Sequence, residues 1–157
     1  MARSLDHARG FHTATLLPDG HLLLASGYDF YSDPQYLPSA ELYDTGLGFS
    51  SEWQPVIESA PRKIRSGDPL VLTGSHFEGI SQASGGNYQD SSSNHPVVQL
   101  RRIDSDQVLF LQTHPASSWS DTSFSSLPVS DFPFGPALVT VFTNGIPSQA
   151  KYLLVAP

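Results

Sequence analysis

Six histidines, His7, His12, His21, His76, His95 and His114, are the obvious candidates for metal or acid–base chemistry, and the chain has no cysteine. A zinc or copper site needs several such groups at short, defined spacings, and these histidines show no i, i+2 or i, i+4 pairing. They read as solvated or turn residues. Oxygen ligands for calcium are offered by Asn87, Asp90, Asn94 and the serines between them, yet no EF-hand spacing is present. The one local group of hydrolase residue types is His114 with Ser117, Ser118, Ser120 and Asp121. No G-x-S-x-G elbow accompanies it, and Gly74-Ser75-His76 does not make one. The expectation is therefore no catalytic residue, no metal site and no cofactor, with a cryptic serine hydrolase ranking third among the functional readings.

Aromatic side chains are the better candidates. Tyr28, Phe30, Tyr31 and Tyr36 fall in a turn-rich stretch from Ser26 to Pro38, and aromatic groups on a rigid β scaffold suit sugar rings or protein surfaces. The competing reading is that they cover an open apolar face of the same sheet. Asn87 and Asp90 are secondary binding candidates, because the polar stretch Gly79–Asn94 is long for a structureless loop. Trp53 and Trp119 read as core or interface residues.

The elements that position these residues are strands. Thirteen prolines and twelve glycines, beside 39% hydrophobic and 15% charged residues, describe many short strands joined by tight turns. Thr13–Leu17 and His21–Ala25 flank the turn Pro18-Asp19-Gly20 as a hairpin. Ala40–Asp44 supplies a third strand, and Trp53–Ile57 a weaker fourth. Further strands are expected at Leu70–Thr73, Val97–Arg101, Gln107–Gln112, Thr122–Ser126, Ala137–Asn144 and Lys151–Val155. The run Ala137–Phe142 is apolar on both pleat faces, as in a strand covered above and below.

Charge divides the chain near Ala60, where acidic character gives way to Arg62, Lys63 and Arg65. Residues 1–60 hold two basic and eight acidic side chains, a net of −6, and residues 61–157 hold six against seven, a net of −1. A total of −7 disfavours phosphate backbones and anionic membranes, so neither nucleic acid nor membrane is an expected partner. No apolar run approaches the roughly 20 residues of a membrane span, and Met1–Gly10 lacks a signal-peptide core. The chain reads as soluble, its compartment left open, and as extracellular or cell-surface if an export signal precedes Met1.

Arg9–Gly27, closed by Ser39–Asp44, resembles a kelch repeat of the bacterial and galactose-oxidase-like type, with Ser26 standing where that family usually has a second glycine. Ser66–Gly79 resembles the opening of an IPT/TIG-type immunoglobulin-like domain, and Val139–Ser148 its penultimate strand and last hairpin. The resemblance implies an all-β fold, a single kelch-type four-stranded blade (residues 1–60) followed by an immunoglobulin-like β-sandwich (residues 61–157). That order is the C-terminal arrangement of galactose-oxidase-like proteins, so the chain is expected to be the tail of a larger propeller or a short reading frame derived from one.

The same resemblance raises a copper-radical oxidase. Phe11 stands where the family has its ligand tyrosine beside His12, and there is no cysteine for the tyrosine cross-link, so that activity is rejected for this chain. His12 is expected to be a strand-edge hydrogen-bonding residue. The leading expectation is a noncatalytic interaction or structural module, with a carbohydrate-binding module using Tyr28–Tyr36 as the alternative, and a glycan or protein as ligand. An isolated blade exposes strand edges and an apolar face carrying Leu16, Leu22, Leu24 and Leu42, so a homo-oligomer held through Arg9–Ile57 is expected.

Overall fold

The computed structural model describes residues 4–31, 36–44, 46, 48, 50–79, 95–113 and 119–157. These residues are all-β, with one 3-10 turn at Ser51–Trp53. The chain divides into two units, one of Met1–Trp53 with Gly79–His95 and Asn144–Ile146, the other of Gln54–Glu78, Pro96–Thr143 and Pro147–Pro157.

In the first unit β1 (Thr13–Leu16), β2 (His21–Ala25) and β3 (Ala40–Asp44) form an antiparallel sheet in the order β1-β2-β3. The β1–β2 turn is closed by the Leu17 amide donating to the His21 carbonyl at 2.8 Å and the Gly20 amide donating to Leu17 at 3.0 Å. Gly20 sits at φ +86°, a left-handed conformation that costs glycine nothing. The Asp19 carboxylate accepts the His21 amide at 3.1 Å, and this bond holds it below its ordinary range.

Register sets which residues share a face. Leu16 pairs with Leu22, and Leu22 and Leu24 pair with Tyr43 and Glu41. Leu42 pairs with Leu23 on the opposite face and is 64% exposed. The expected apolar patch is thus split: Leu42 does not join Leu16, Leu22 and Leu24, because successive side chains of a strand point to opposite sides. Leu16 and Leu24 are already buried within the chain.

A second correction concerns the weak fourth strand: among the described residues this sheet holds three strands. The weak candidate at Trp53–Ile57 becomes the 3-10 turn followed by β4 (Val56–Ser59), and β4 pairs antiparallel with β6 (Pro69–Ser75) in the second unit. Ile57, buried between exposed Val56 and Glu58, supplies the reason: its side chain belongs to the second unit's core. A fragment starting at Pro61 would therefore lack an edge strand and a core residue.

The remaining strands are β5 (Lys63–Arg65), β7 (Val97–Arg102), β8 (Val108–Leu111), β9 (Trp119–Ser120), β10 (Ser123–Pro128), β11 (Gly135–Thr143), β12 (Ile146–Pro147) and β13 (Lys151–Ala156). One sheet has the order β4-β6-β10-β9, the other β5-β13-β11-β7-β8 with β12 against β11. Leu70, Leu72 and Phe124 from the first sheet share a core with Val98, Leu100, Val139, Val141 and Leu153 from the second, so the two sheets face each other. Each of the six strands expected beyond residue 60 is present within a residue or two of its expected ends.

The basic cluster read as a junction is itself a strand. β5 runs parallel to β13, with Ile64 in the core between exposed Lys63 and Arg65. Three residues are too few for alternation to stand out in the sequence.

Candidate functional site

Arg9 organises the base of the aromatic loop. Its side chain has no exposed surface. One terminal nitrogen, Nη1, donates to the carbonyls of Ser26 at 2.8 Å and Ser39 at 3.0 Å. The other, Nη2, donates to Ser39 Oγ at 3.1 Å and to the Glu41 carboxylate. The planar fork of a guanidinium can satisfy several acceptors at fixed angles, which an ammonium cannot. Glu41 also accepts the Asp6 amide at 2.7 Å. Desolvation pushes the Glu41 carboxyl upward, but the Asp6 amide and the Arg9 guanidinium outweigh it, leaving the group below its ordinary range.

The loop leaves this clamp through two left-handed residues, Ser26 at φ +60° and Gly27 at φ +115°. A Cβ on Gly27 would stand 2.9 Å from the Gly10 carbonyl oxygen, so only glycine lets the loop approach this closely. Gly10 and Tyr28 then exchange two backbone hydrogen bonds, at 2.9 and 2.8 Å, and the Leu37 amide donates to Gly27 at 3.0 Å. Ser26 carries left-handed strain, and its backbone carbonyl is the group bonded to Arg9. Ser26→Gly is accordingly expected to raise stability by up to about 1 kcal/mol, net of the extra freedom glycine gains when unfolded. Thermal denaturation of the variant beside the parent checks this; a lower melting temperature would contradict it.

This backbone gathers four rings. Tyr28 meets Phe30 edge-on at 4.8 Å between centroids and 71° between planes, and Tyr36 at 5.4 Å and 79°. Phe11, itself at φ +54°, extends the group to Phe30 at 6.0 Å. Edge-to-face pairs of this kind are favourable beyond their burial. Phe11, Ser26, Gly27, Tyr28, Phe30 and Tyr36 line an open groove of about 420 Å³. Phe11, Phe30 and Tyr36 are 55, 58 and 77% exposed. Tyr31 stands apart from these ring pairs at 96% exposure.

Of the residues singled out in the sequence, the fold thus brings Tyr28, Phe30 and Tyr36 together and adds Phe11. The signal for Phe11 was its place beside Gly10, whose backbone lies against Tyr28. Asn87, Asp90 and Asn94, with His114, Ser117 and Ser118, lie outside the described residues. Asp121 and Ser120 have turn roles: Asp121 Oδ1 accepts the Glu78 amide at 3.3 Å, and Ser120 Oγ lies 2.8 Å from Ser123 Oγ. His12 Nδ1 is 3.2 Å from the Arg9 carbonyl and His76 Nδ1 is 3.2 Å from that of Gln54. Among the described residues no three histidine or carboxylate groups converge as a metal site would require. No helix among them is long and apolar enough to cross a membrane. Trp119 packs partly buried against the second unit's core.

No protein-family model matches the chain, and no curated protein matches it. Among solved structures the chain is similar to one from Bacteroides vulgatus, provisionally assigned as a bacterial DNA-binding protein. The two share 12% identity at a TM-score of 0.47, over 93% of this chain and 73% of that one.

Proposed function

We propose that the chain is a noncatalytic interaction module from the C-terminal part of a kelch-type propeller protein, with one blade followed by an immunoglobulin-like sandwich. Its partner binds at the groove of Phe11, Tyr28, Phe30 and Tyr36. The observation that carries this reading is a set of four rings held by backbone bonds at the surface, three of them more than half exposed. Large apolar groups fixed around a concavity are the usual anchors of recognition, because little side-chain freedom remains to be lost on binding. The three-stranded antiparallel sheet and the two facing sheets that follow support the blade and sandwich assignment.

A glycan is the alternative ligand to a protein segment, and the same groove carries it. Near-perpendicular rings make walls, against which either a sugar ring or an extended peptide can stack. Glycan and peptide arrays probed with the parent chain and with the Phe30→Ala/Tyr36→Ala double variant test the reading. The strongest parent signal is expected to fall at least about tenfold in the variant, as for loss of a hot spot. An undiminished signal would remove the groove as the binding surface.

A further inference from the structure

The chemistry of the aromatic groove selects among ligands. Tyr28 stands at 71° to Phe30 and at 79° to Tyr36, and Phe11 is tilted 57° to Phe30, so ring planes face several directions around one concavity of about 420 Å³. An edge-to-face pair covers at most one face of one ring, and Phe11, Phe30 and Tyr36 are each more than half exposed, so π-faces remain open along the groove. Such a face is electron-rich and attracts a cation within about 6 Å of the ring centroid. Ser26 and Gly27 complete the lining, so among the described residues no charged or amide side chain belongs to it.

We propose that this groove takes a trimethylammonium group, carried on a methylated lysine of a protein segment. The inference rests on the groove being the binding surface and names the chemistry of its ligand. Charge gives the sign. Residues 1–60 hold two basic and eight acidic side chains, a field that draws cations. Asp29, between Tyr28 and Phe30 in the sequence, keeps a carboxylate within the loop itself by accepting the Tyr31 amide at 2.9 Å. Arg9 at the base of the loop is enclosed and paired with Glu41, so its own charge is already compensated.

The lining gives the kind of cation. A plain lysine ammonium brings three N–H donors and a tight hydration shell, and the side chains of the lining carry hydroxyls as their only acceptors. Three methyl groups remove those donors and present apolar surface, while the positive charge stays within reach of the rings. A neutral sugar gains nothing from the acidic field, and the lining offers few side-chain partners for its hydroxyls. A choline headgroup carries the same cation, but the phosphate beside it would meet the net −6 of residues 1–60. Lysine is therefore the favoured carrier.

Calorimetric titration of the full chain with three short peptides tests it, the peptides differing at one side chain: trimethyllysine, unmodified lysine, and the neutral isostere in which carbon replaces the ammonium nitrogen. The trimethyllysine peptide is expected to bind at least about tenfold tighter than either of the others. Phe30→Leu and Tyr36→Leu keep apolar bulk and remove a π-face. Each should weaken the trimethyllysine peptide about tenfold and leave the isostere within about twofold, whereas a disturbed fold would weaken both alike. Choline and phosphocholine report the carrier, and both should bind more weakly than the peptide; tighter binding of phosphocholine overturns the assignment to lysine. Equal binding of the isostere and the trimethyllysine peptide overturns the proposal and leaves the groove as an apolar site. So does the absence of binding by all three peptides while an array signal still falls in the Phe30→Ala/Tyr36→Ala variant. No peptide binding together with an undiminished array signal removes the groove as well.

Discussion

Phe124→Ala is expected to lower the stability of the second unit by about 3–5 kcal/mol, the range for emptying a fully enclosed phenylalanine site. Phe124 is 1% exposed and lies in β10 between Leu72 of β6 and Trp119 of β9. Its ring therefore belongs to the core shared with the opposing sheet. A domain of ordinary size has only about 5–15 kcal/mol of stability in total, so the loss is a large fraction of the whole. Urea denaturation followed by the second unit's own signals should show the midpoint falling with the slope unchanged. Val71→Ala, on the outer face of the same sheet and 51% exposed, serves as the control and should cost far less. Equal losses in the two variants would mean that the two sheets do not enclose Phe124.

What could be read in advance follows from how local the information is. β1, β2, β3, β6, β7, β8, β10 and β13 are marked by short apolar or alternating runs bounded by turn residues and β11 by a longer, near-continuous apolar run, and all are present. β4 was expected only weakly, at Trp53–Ile57 and in the wrong sheet, and β5 escaped, because a three- or four-residue strand has too little pattern and because Arg62, Lys63 and Arg65 look like a solvated junction unless Ile64 is known to be in a core. The split of Leu42 from Leu24 was legible in principle from their cross-strand parity, but needed the β2–β3 register. The aromatic site was half legible. Tyr28, Phe30 and Tyr36 lie close in sequence, whereas Phe11 reaches them only through the Gly10–Tyr28 bridge. The clamp behind them joins Arg9 to Glu41 across 32 positions, and no spacing rule marks a pair so far apart.

The same clamp yields the other large effect. Arg9→Ala is expected to unfasten the first unit, because four acceptors, the carbonyls of Ser26 and Ser39, the Ser39 hydroxyl and the Glu41 carboxylate, each lose a hydrogen bond from a guanidinium that was wholly enclosed. Removing the guanidinium takes the cation from a carboxylate that is only 14% exposed and leaves it the Asp6 amide, a larger loss than breaking a fully exposed pair. Arg9→Lys should rescue only part of it, since an ammonium cannot span both carbonyls and the carboxylate. Hydrogen exchange is the direct readout: amides of Ala40–Asp44 and of Tyr28 should lose protection in Arg9→Ala while those of β11 keep theirs. Acidification should act on the same contact. The Glu41 carboxyl is held below its ordinary range in the folded chain, so its contribution is complete above that range and is lost as pH falls through the folded value. Protection of β3 should therefore begin to decline below about pH 4.5 in the parent, and the Glu41→Gln variant should show a flatter profile. The second unit has its own acid-sensitive pair, Asp104 held low by its hydrogen bond from Arg102, so whole-chain melting would mix the two and the β3 amides must be followed separately. Unchanged β3 protection in Arg9→Ala would mean that the strands, and not the clamp, hold the loop in place.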